Sequence, residues 1–87
     1  MNEKIFKKKY GVFIEVVDNE YYLIGDFEAF KLNEVGARIV DLCDGKNSCL
    51  EIAKKLSRKY GCLIDEVQSD VNDFISVLLD QELVLEV

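Results

Sequence analysis

Short apolar runs separated by turn residues dominate the first third of the chain. Residues 11–17 are β-branched and aromatic, and residues 21–24 repeat that character after a turn at residues 18–20. After a break at Gly25-Asp26, residues 27–32 alternate as a short third strand. The pattern predicts a three-stranded antiparallel sheet.

Helical spacing begins after the third strand. Asn33 is a favourable N-cap, and apolar residues recur at helical spacing from Val35 to Cys43. The first helix is predicted to end at Asp44-Gly45, because glycine is the usual residue just after a helix.

Two further helices follow. Ser48 and Glu51 have the capping-box spacing and predict the start of a second helix, which stops at Gly61. Apolar residues then follow the i, i+3, i+4, i+7 rule over residues 64–82, which predicts a long third helix. Residues 83–87 form an apolar tail that the sequence assigns to a strand pairing with the sheet.

Three strands followed by three helices, the last two joined by a tight turn, are typical of a small α+β winged helix-turn-helix. The 87 residues suit one domain, which we assign to residues 11–87. Residues 1–10 contain four lysines and predict a flexible basic terminus. The alternative is an arm that contacts a partner.

The residue types argue against catalysis. The chain has no histidine, so a cysteine or serine nucleophile lacks its usual base. The carboxylate pairs Asp65/Glu66 and Asp70/Asp73 fit a solvated helix face better than acid–base work. The glycines stand singly, without the clustering of a phosphate loop, and the three cysteines match no metal-ligand spacing. We expect no enzymatic activity, no cofactor and no metal.

Two absent sequence features and the number of cysteines indicate a cellular location. The chain has no long apolar run and no signal peptide, and its odd number of cysteines does not suit an oxidised, secreted scaffold. We therefore expect a cytoplasmic protein with free thiols and no membrane association.

Charge is distributed unevenly. Residues 1–59 contain eleven basic and ten acidic side chains, for +1, whereas residues 60–87 contain seven acidic and none basic, for −7. Phosphate contacts require lysine and arginine, and a recognition helix over residues 64–82 has neither. The helix-turn-helix is therefore not expected to bind nucleic acid.

A peptide partner fits the pattern better. The short third strand leaves a sheet edge open unless the tail covers it, and the unpaired backbone groups of an edge can accept an added strand. The wide apolar stripe of the third helix would supply the floor of the groove. Alternatively, the same apolar residues are simply core, which a domain of this size needs.

Three segments carry a resemblance to a known family. They are Leu32-Asn33-x-x-Gly36-Ala37-x-Ile39-x-x-Leu42-Cys43-Asp44-Gly45, Glu51-Ile52-Ala53-x-x-Leu56, and Asp70-Val71-x-x-Phe74-Ile75-x-x-Leu78 with Leu83-Val84 beyond it. In this order they resemble the PqqD-like family over roughly residues 10–85. Gly25-Asp26 departs from the proline-glutamate turn of the pyrroloquinoline quinone members, which weakens an assignment to that pathway.

The resemblance implies a free-standing recognition element for ribosomally synthesised, later modified (RiPP) precursor peptides. Such a peptide chaperone binds the leader as a strand added beside the third β-strand and against the third helix. It presents the precursor to a modifying enzyme or leader peptidase, of radical-SAM, lasso-peptide or pyrroloquinoline quinone type. Carried over to this sequence, the peptide-binding residues are Phe27, Glu28, Ala29, Phe30, Lys31, Leu32, Val67, Val71, Phe74, Ile75 and Leu78.

Two readings of the function stay open. The first is leader recognition, for which the acidic third helix predicts a basic or amphipathic leader. The second is a winged-helix subunit that regulates or binds another protein. In either case an open strand edge permits a homodimer.

Overall fold

The computed structural model describes all 87 residues, and it consists of three helices and six short strands. Two sheets form, and the helices as a group pack against both of them. The elements in chain order are β1 (Ile5–Lys8), β2 (Phe13–Val17), β3 (Glu20–Ile24), β4 (Ala29–Leu32), α1 (Glu34–Leu42), β5 (Asp44–Ser48), α2 (Cys49–Tyr60), α3 (Ile64–Asp80) and β6 (Val84–Glu86).

The three-stranded antiparallel sheet expected from the sequence is confirmed as β2-β3-β4. Its first turn has only two residues, Asp18 and Asn19, and both have positive φ, at 51° and 64°. That backbone matches the type I′ turn of tight hairpins, for which aspartate and asparagine are well suited. One face of the sheet packs on the core through Leu23, which is fully buried.

The helix boundaries that local chemistry predicted are confirmed at three ends. The Asn33 side chain accepts a hydrogen bond of 2.7 Å from the Gly36 N–H at the start of α1. Ser48 and Glu51 form a reciprocal capping box at the start of α2. Gly61 ends α2 in the left-handed conformation, and α2 and α3 form the helix-turn-helix.

A second sheet, with strand order β5-β1-β6, corrects the assignment of residues 1–10 to a flexible terminus. β1 is the central strand and pairs antiparallel with both neighbours. Phe6 is only 2% exposed and belongs to the core, so the strand is held by apolar burial as well as by pairing. Lys8 donates to the carbonyl of Val40 at the end of α1.

The same sheet changes two other boundaries. α1 ends at Leu42 and not at Asp44-Gly45, because the next residues leave the helix to form β5. Gly45 has a φ of +80° and lies against Lys7 of the neighbouring strand, so its conformational freedom serves the sheet. The C-terminal strand β6 pairs with β1 and not with the hairpin sheet.

The core lies where the three helices meet both sheets. Fourteen buried residues form one cluster that includes Phe6, Leu23, Ile52, Val71 and Ile75. None of the helices has the length and apolar character needed to cross a bilayer.

Candidate functional site

The outer edge of β4 is open. β3 is the only strand that pairs with β4, since the C-terminal strand lies in the other sheet. Outside the β3–β4 ladder, no backbone hydrogen bond involves residues 29–32. The structure therefore leaves one row of β4 backbone donors and acceptors available to an added strand.

The register identifies which backbone groups point outward. Gly25 N–H donates to the Glu28 carbonyl at the mouth of the turn, so this pair is a hydrogen-bonded one. Because such pairs alternate along an antiparallel ladder, Phe30 and Leu32 bond to β3, whereas Ala29 and Lys31 direct their N–H and C=O groups to the open edge.

The edge faces the C-terminal half of α3 across a groove. A Cβ placed on Gly36 would lie 3.3 Å from Cζ of Phe74 and 3.7 Å from Cδ2 of Leu32, so these three residues are neighbours at the end of β4. A Cβ on Gly25 would lie 3.2 Å from Cδ2 of Leu83, just after α3. The start of β4 thus lies near the end of α3, and the two elements run in opposite directions.

The β4 residues expected to bind a peptide face alternately towards the core and towards the outer face of the sheet. Phe30 and Leu32 are half-buried and pack against the core, whereas Ala29 and Lys31 are exposed on the outer face of the sheet. Phe27 and Glu28 precede the strand, and the Phe27 side chain is 98% exposed.

The residues of α3 expected to bind a peptide also divide in two. Val71, Ile75 and Leu78 are buried in the central cluster and hold the helix in place. Val67 and Phe74 are half-buried at the edge of that cluster, so they remain within reach of the groove.

The structure contains two cavities near the groove that the sequence did not predict. Near the start of β4, a cavity of about 360 Å³ has a mixed lining. Its apolar and aromatic residues include Tyr10, Phe27, Phe30 and Leu83, and its polar residues are Lys9, Asp26, Glu28, Gln81 and Glu82. Tyr10 is fully exposed there. No local pattern in the sequence indicates a role for Tyr10, because the position of the turn that contains it depends on the pairing of β1.

The second cavity, of about 130 Å³, lies between the three helices and is lined almost entirely by apolar side chains. Val35 and Ile39 of α1, Leu56 of α2 and Val67 of α3 contribute to it. Helical periodicity indicates only that these residues share apolar helix faces, and it does not predict a cavity between them. Val67, which the family resemblance assigned to the peptide site, lines this cavity.

A polar cluster fixes the outer face of the sheet. Lys31 Nζ lies 2.9 Å from Oε1 of Glu20, and the Tyr22 hydroxyl donates to Oε2 of Glu20 at 2.9 Å. The hydrogen bond from Lys31, supported by that from Tyr22, lowers the pKa of Glu20. The bond with Glu20 raises the pKa of Lys31. The lysine is thus held charged on the face opposite the groove.

The thiols are separated from the groove by burial or distance. Cys43 is fully buried, and burial raises its pKa to about 12, so it stays protonated. Burial also raises the pKa of Cys49. Cys62 is exposed in the turn between α2 and α3.

Comparison with known proteins identifies the family of this chain. The family of coenzyme PQQ synthesis protein D (PqqD) matches residues 23–84, which is most of the chain. A PqqA binding protein of Methylococcus capsulatus is 29% identical over 73 residues, covering 84% of this chain and 76% of the relative.

Two solved structures share the fold. One is the solution structure of the PqqD part of Methylobacterium extorquens PqqCD, described as a stand-alone RiPP recognition element. It has a TM-score of 0.86 at 18% identity and covers 98% of this chain and 93% of that one. The other is TbiB1 in complex with the TbiA(beta) leader peptide, with a TM-score of 0.77 at 28% identity, covering 90% and 93%. With its family match, its open β4 edge and this shared fold, the chain belongs to the PqqD family.

Proposed function

We propose that this protein recognises the leader of a ribosomally synthesised precursor peptide by adding it as a strand to β4. The observation that carries the proposal is the open β4 edge beside α3, where Leu32 and Phe74 provide apolar surface. The binding of PqqA and of the TbiA(beta) leader by similar proteins supports a precursor leader as the ligand.

In this proposal the backbone gives affinity and the groove gives specificity. Ala29 and Lys31 supply the donors and acceptors for the added strand, and every second side chain of the peptide enters the groove. There it meets Phe30, Leu32 and Phe74. Val67 extends this surface, Val71, Ile75 and Leu78 support it from the core, and Phe27 and Glu28 flank its entrance.

The role we assign is recognition and presentation, not catalysis. The bound leader would place the remaining segment of the precursor before a separate modifying enzyme or leader peptidase. Ribosomal precursors are made in the cytoplasm, and three free thiols suit that reducing compartment.

Proline substitution at the two sheet edges tests strand addition. The Ala29 N–H points to the open edge, so Ala29→Pro removes one donor from the site and leaves the β3–β4 ladder intact. Val16 lies on the opposite edge strand β2, where the same alternation directs its N–H outward, so Val16→Pro is the matched control.

The assay is titration of each variant with a synthetic leader from the nearest short open reading frame that encodes a precursor, followed by amide chemical shifts. We expect shifts over residues 27–32 and along α3, and a loss of affinity of about tenfold for Ala29→Pro but not for Val16→Pro. Equal loss in both variants, or shifts centred on β2 and α1, would contradict addition at β4. The second pattern would favour the regulatory protein–protein role.

A further inference from the structure

The apolar cavity between the helices adjoins the groove along α3. Asp70 and Val71 line the cavity, and Phe74, one helical turn further on, lies beside Leu32. β4 and α3 run in opposite directions and meet at Leu32 and Phe74. From Phe74 back to Val67 is seven residues of helix, or about 10 Å. An extended peptide covers that distance in about three residues.

The shape and lining of this cavity suit one side chain. Its volume is about 130 Å³, and a cavity of roughly 150 Å³ holds a benzene-sized group. Asp70 is the one charged residue in the lining, and Val35 stands at the mouth with 40% of its surface exposed. The Tyr60 hydroxyl donates a 2.6 Å hydrogen bond to Glu34, which joins α2 to α1 beside the opening.

We infer that this cavity is an anchor site for one leucine-, isoleucine- or phenylalanine-sized side chain of the bound peptide. In the bound peptide, the anchor residue lies about three positions beyond the residue that contacts Phe74. It lies in the direction in which the peptide leaves β4 at Leu32. Asp70 favours a basic over an acidic residue beside the anchor. The inference rests on the proposed function, and it adds a second recognition element that β4 does not provide.

Cys62 provides a direct reporter of occupancy. It also lines the cavity, and it is the only exposed thiol, because Cys43 and Cys49 are buried. N-ethylmaleimide therefore labels Cys62 in the folded protein, and a side chain seated in the cavity shields it. With the same synthetic leader present at ten times its Kd, we expect labelling to slow about tenfold.

A substitution at the mouth gives an independent measurement. Val35→Lys places an ammonium group at the apolar opening, and we expect leader affinity to fall about tenfold while shifts at β4 persist. Val16→Lys, at a similarly exposed valine on β2, is expected to leave affinity unchanged. Replacing the anchor residue of the peptide by alanine is expected to restore Cys62 labelling.

The outcomes separate this inference from the function it rests on. The anchor site would be overturned if leader binding shifted β4 resonances but left Cys62 unprotected, and if Val35→Lys bound the leader normally. Strand addition would remain intact in that case. No binding and no shift at β4 would overturn both. Protection of Cys62 that depends on the anchor side chain supports the anchor.

Discussion

Individual side chains fix the ends of the helices that flank the groove. At the start of α2, Ser48 Oγ accepts from the Glu51 N–H at 3.1 Å, and the Glu51 carboxylate accepts from the Ser48 N–H at 2.8 Å. The bonds from the Ser48 backbone and side chain lower the pKa of Glu51. Two otherwise unsatisfied helix donors are satisfied in this way.

Removal of the Ser48 hydroxyl tests this cap. We expect Ser48→Ala to lower the free energy of unfolding by about 1 kcal/mol, as measured by urea denaturation. Ser69→Ala is the matched control, since Ser69 is exposed within α3 and its hydroxyl makes no hydrogen bond. A cost at Ser69 equal to that at Ser48 would show that the cap is not the cause.

Burial of the Cys43 thiol gives stability a dependence on alkaline pH. Its pKa rises from an ordinary value of 9.0 to about 12, so between these values the unfolded chain loses a proton that the folded protein keeps. Stability from this group is complete below pH 9 and falls by about 1.4 kcal/mol per pH unit above it.

Urea midpoints at pH 7, 9 and 10 for the wild type and Cys43→Ala check this prediction. The wild type is expected to lose more stability than the variant as the pH rises, since lysine and tyrosine titrations are common to both. Parallel pH curves would argue against a buried, protonated thiol.

At the scale of elements, the small sheet around β1 closes the domain at the end of α1. β1 connects β5, which follows α1, with β6, which follows α3. Phe6 contributes the only aromatic side chain of this sheet to the buried cluster. Because Phe6 is buried in the core, β1 is an integral part of the fold that supports the candidate groove.

Alanine substitution distinguishes an integral β1 from a loosely attached one. We expect Phe6→Ala to destabilise the protein by about 3–5 kcal/mol, because it removes a buried ring and leaves a cavity. Tyr10→Ala, at a fully exposed aromatic residue, is expected to change stability by less than about 0.5 kcal/mol. Thermal denaturation followed by circular dichroism measures both, and a Phe6 effect as small as that of Tyr10 would contradict the assignment.

At the scale of the whole molecule, the uneven distribution of charge is expected to affect how fast a peptide associates with the protein. The chain has a net charge of −6, and α3 presents five carboxylates without a cation. A basic leader would be attracted to this side of the protein over several ångströms before it contacts the groove. Apolar burial in the groove would then determine how long it stays.

A charge reversal on α3 separates these two contributions. Asp73 is exposed, and Asp73→Lys is expected to slow association of a basic leader by about twofold to fivefold with little change in dissociation. Glu3→Lys, at an exposed position near the N-terminus, controls for net charge. Stopped-flow fluorescence at two salt concentrations measures the rates, and an equal effect on association and dissociation would contradict this view.

Much of the fold could be predicted from the sequence because the residues that determine it act within short segments. The capping residues Asn33 and Ser48 act within four residues of themselves, as does Gly61. The hairpin and the periodicity of α3 need only their own segments. Phe6 and Gly45 could not be read in this way, because their roles depend on strands that are distant in sequence. The family was also readable, since its motif residues lie at these local boundaries.

By itself, the sequence determined the order of the hairpin and helices, the helix caps and the family, because short-range backbone chemistry and apolar periodicity set all of these. Only the tertiary structure decided that the C-terminal strand pairs with β1 and leaves β4 open. It also decided which α3 residues are buried, and that a small cavity remains between the packed helices. These features arise from packing between distant segments, which the pattern along one chain does not specify.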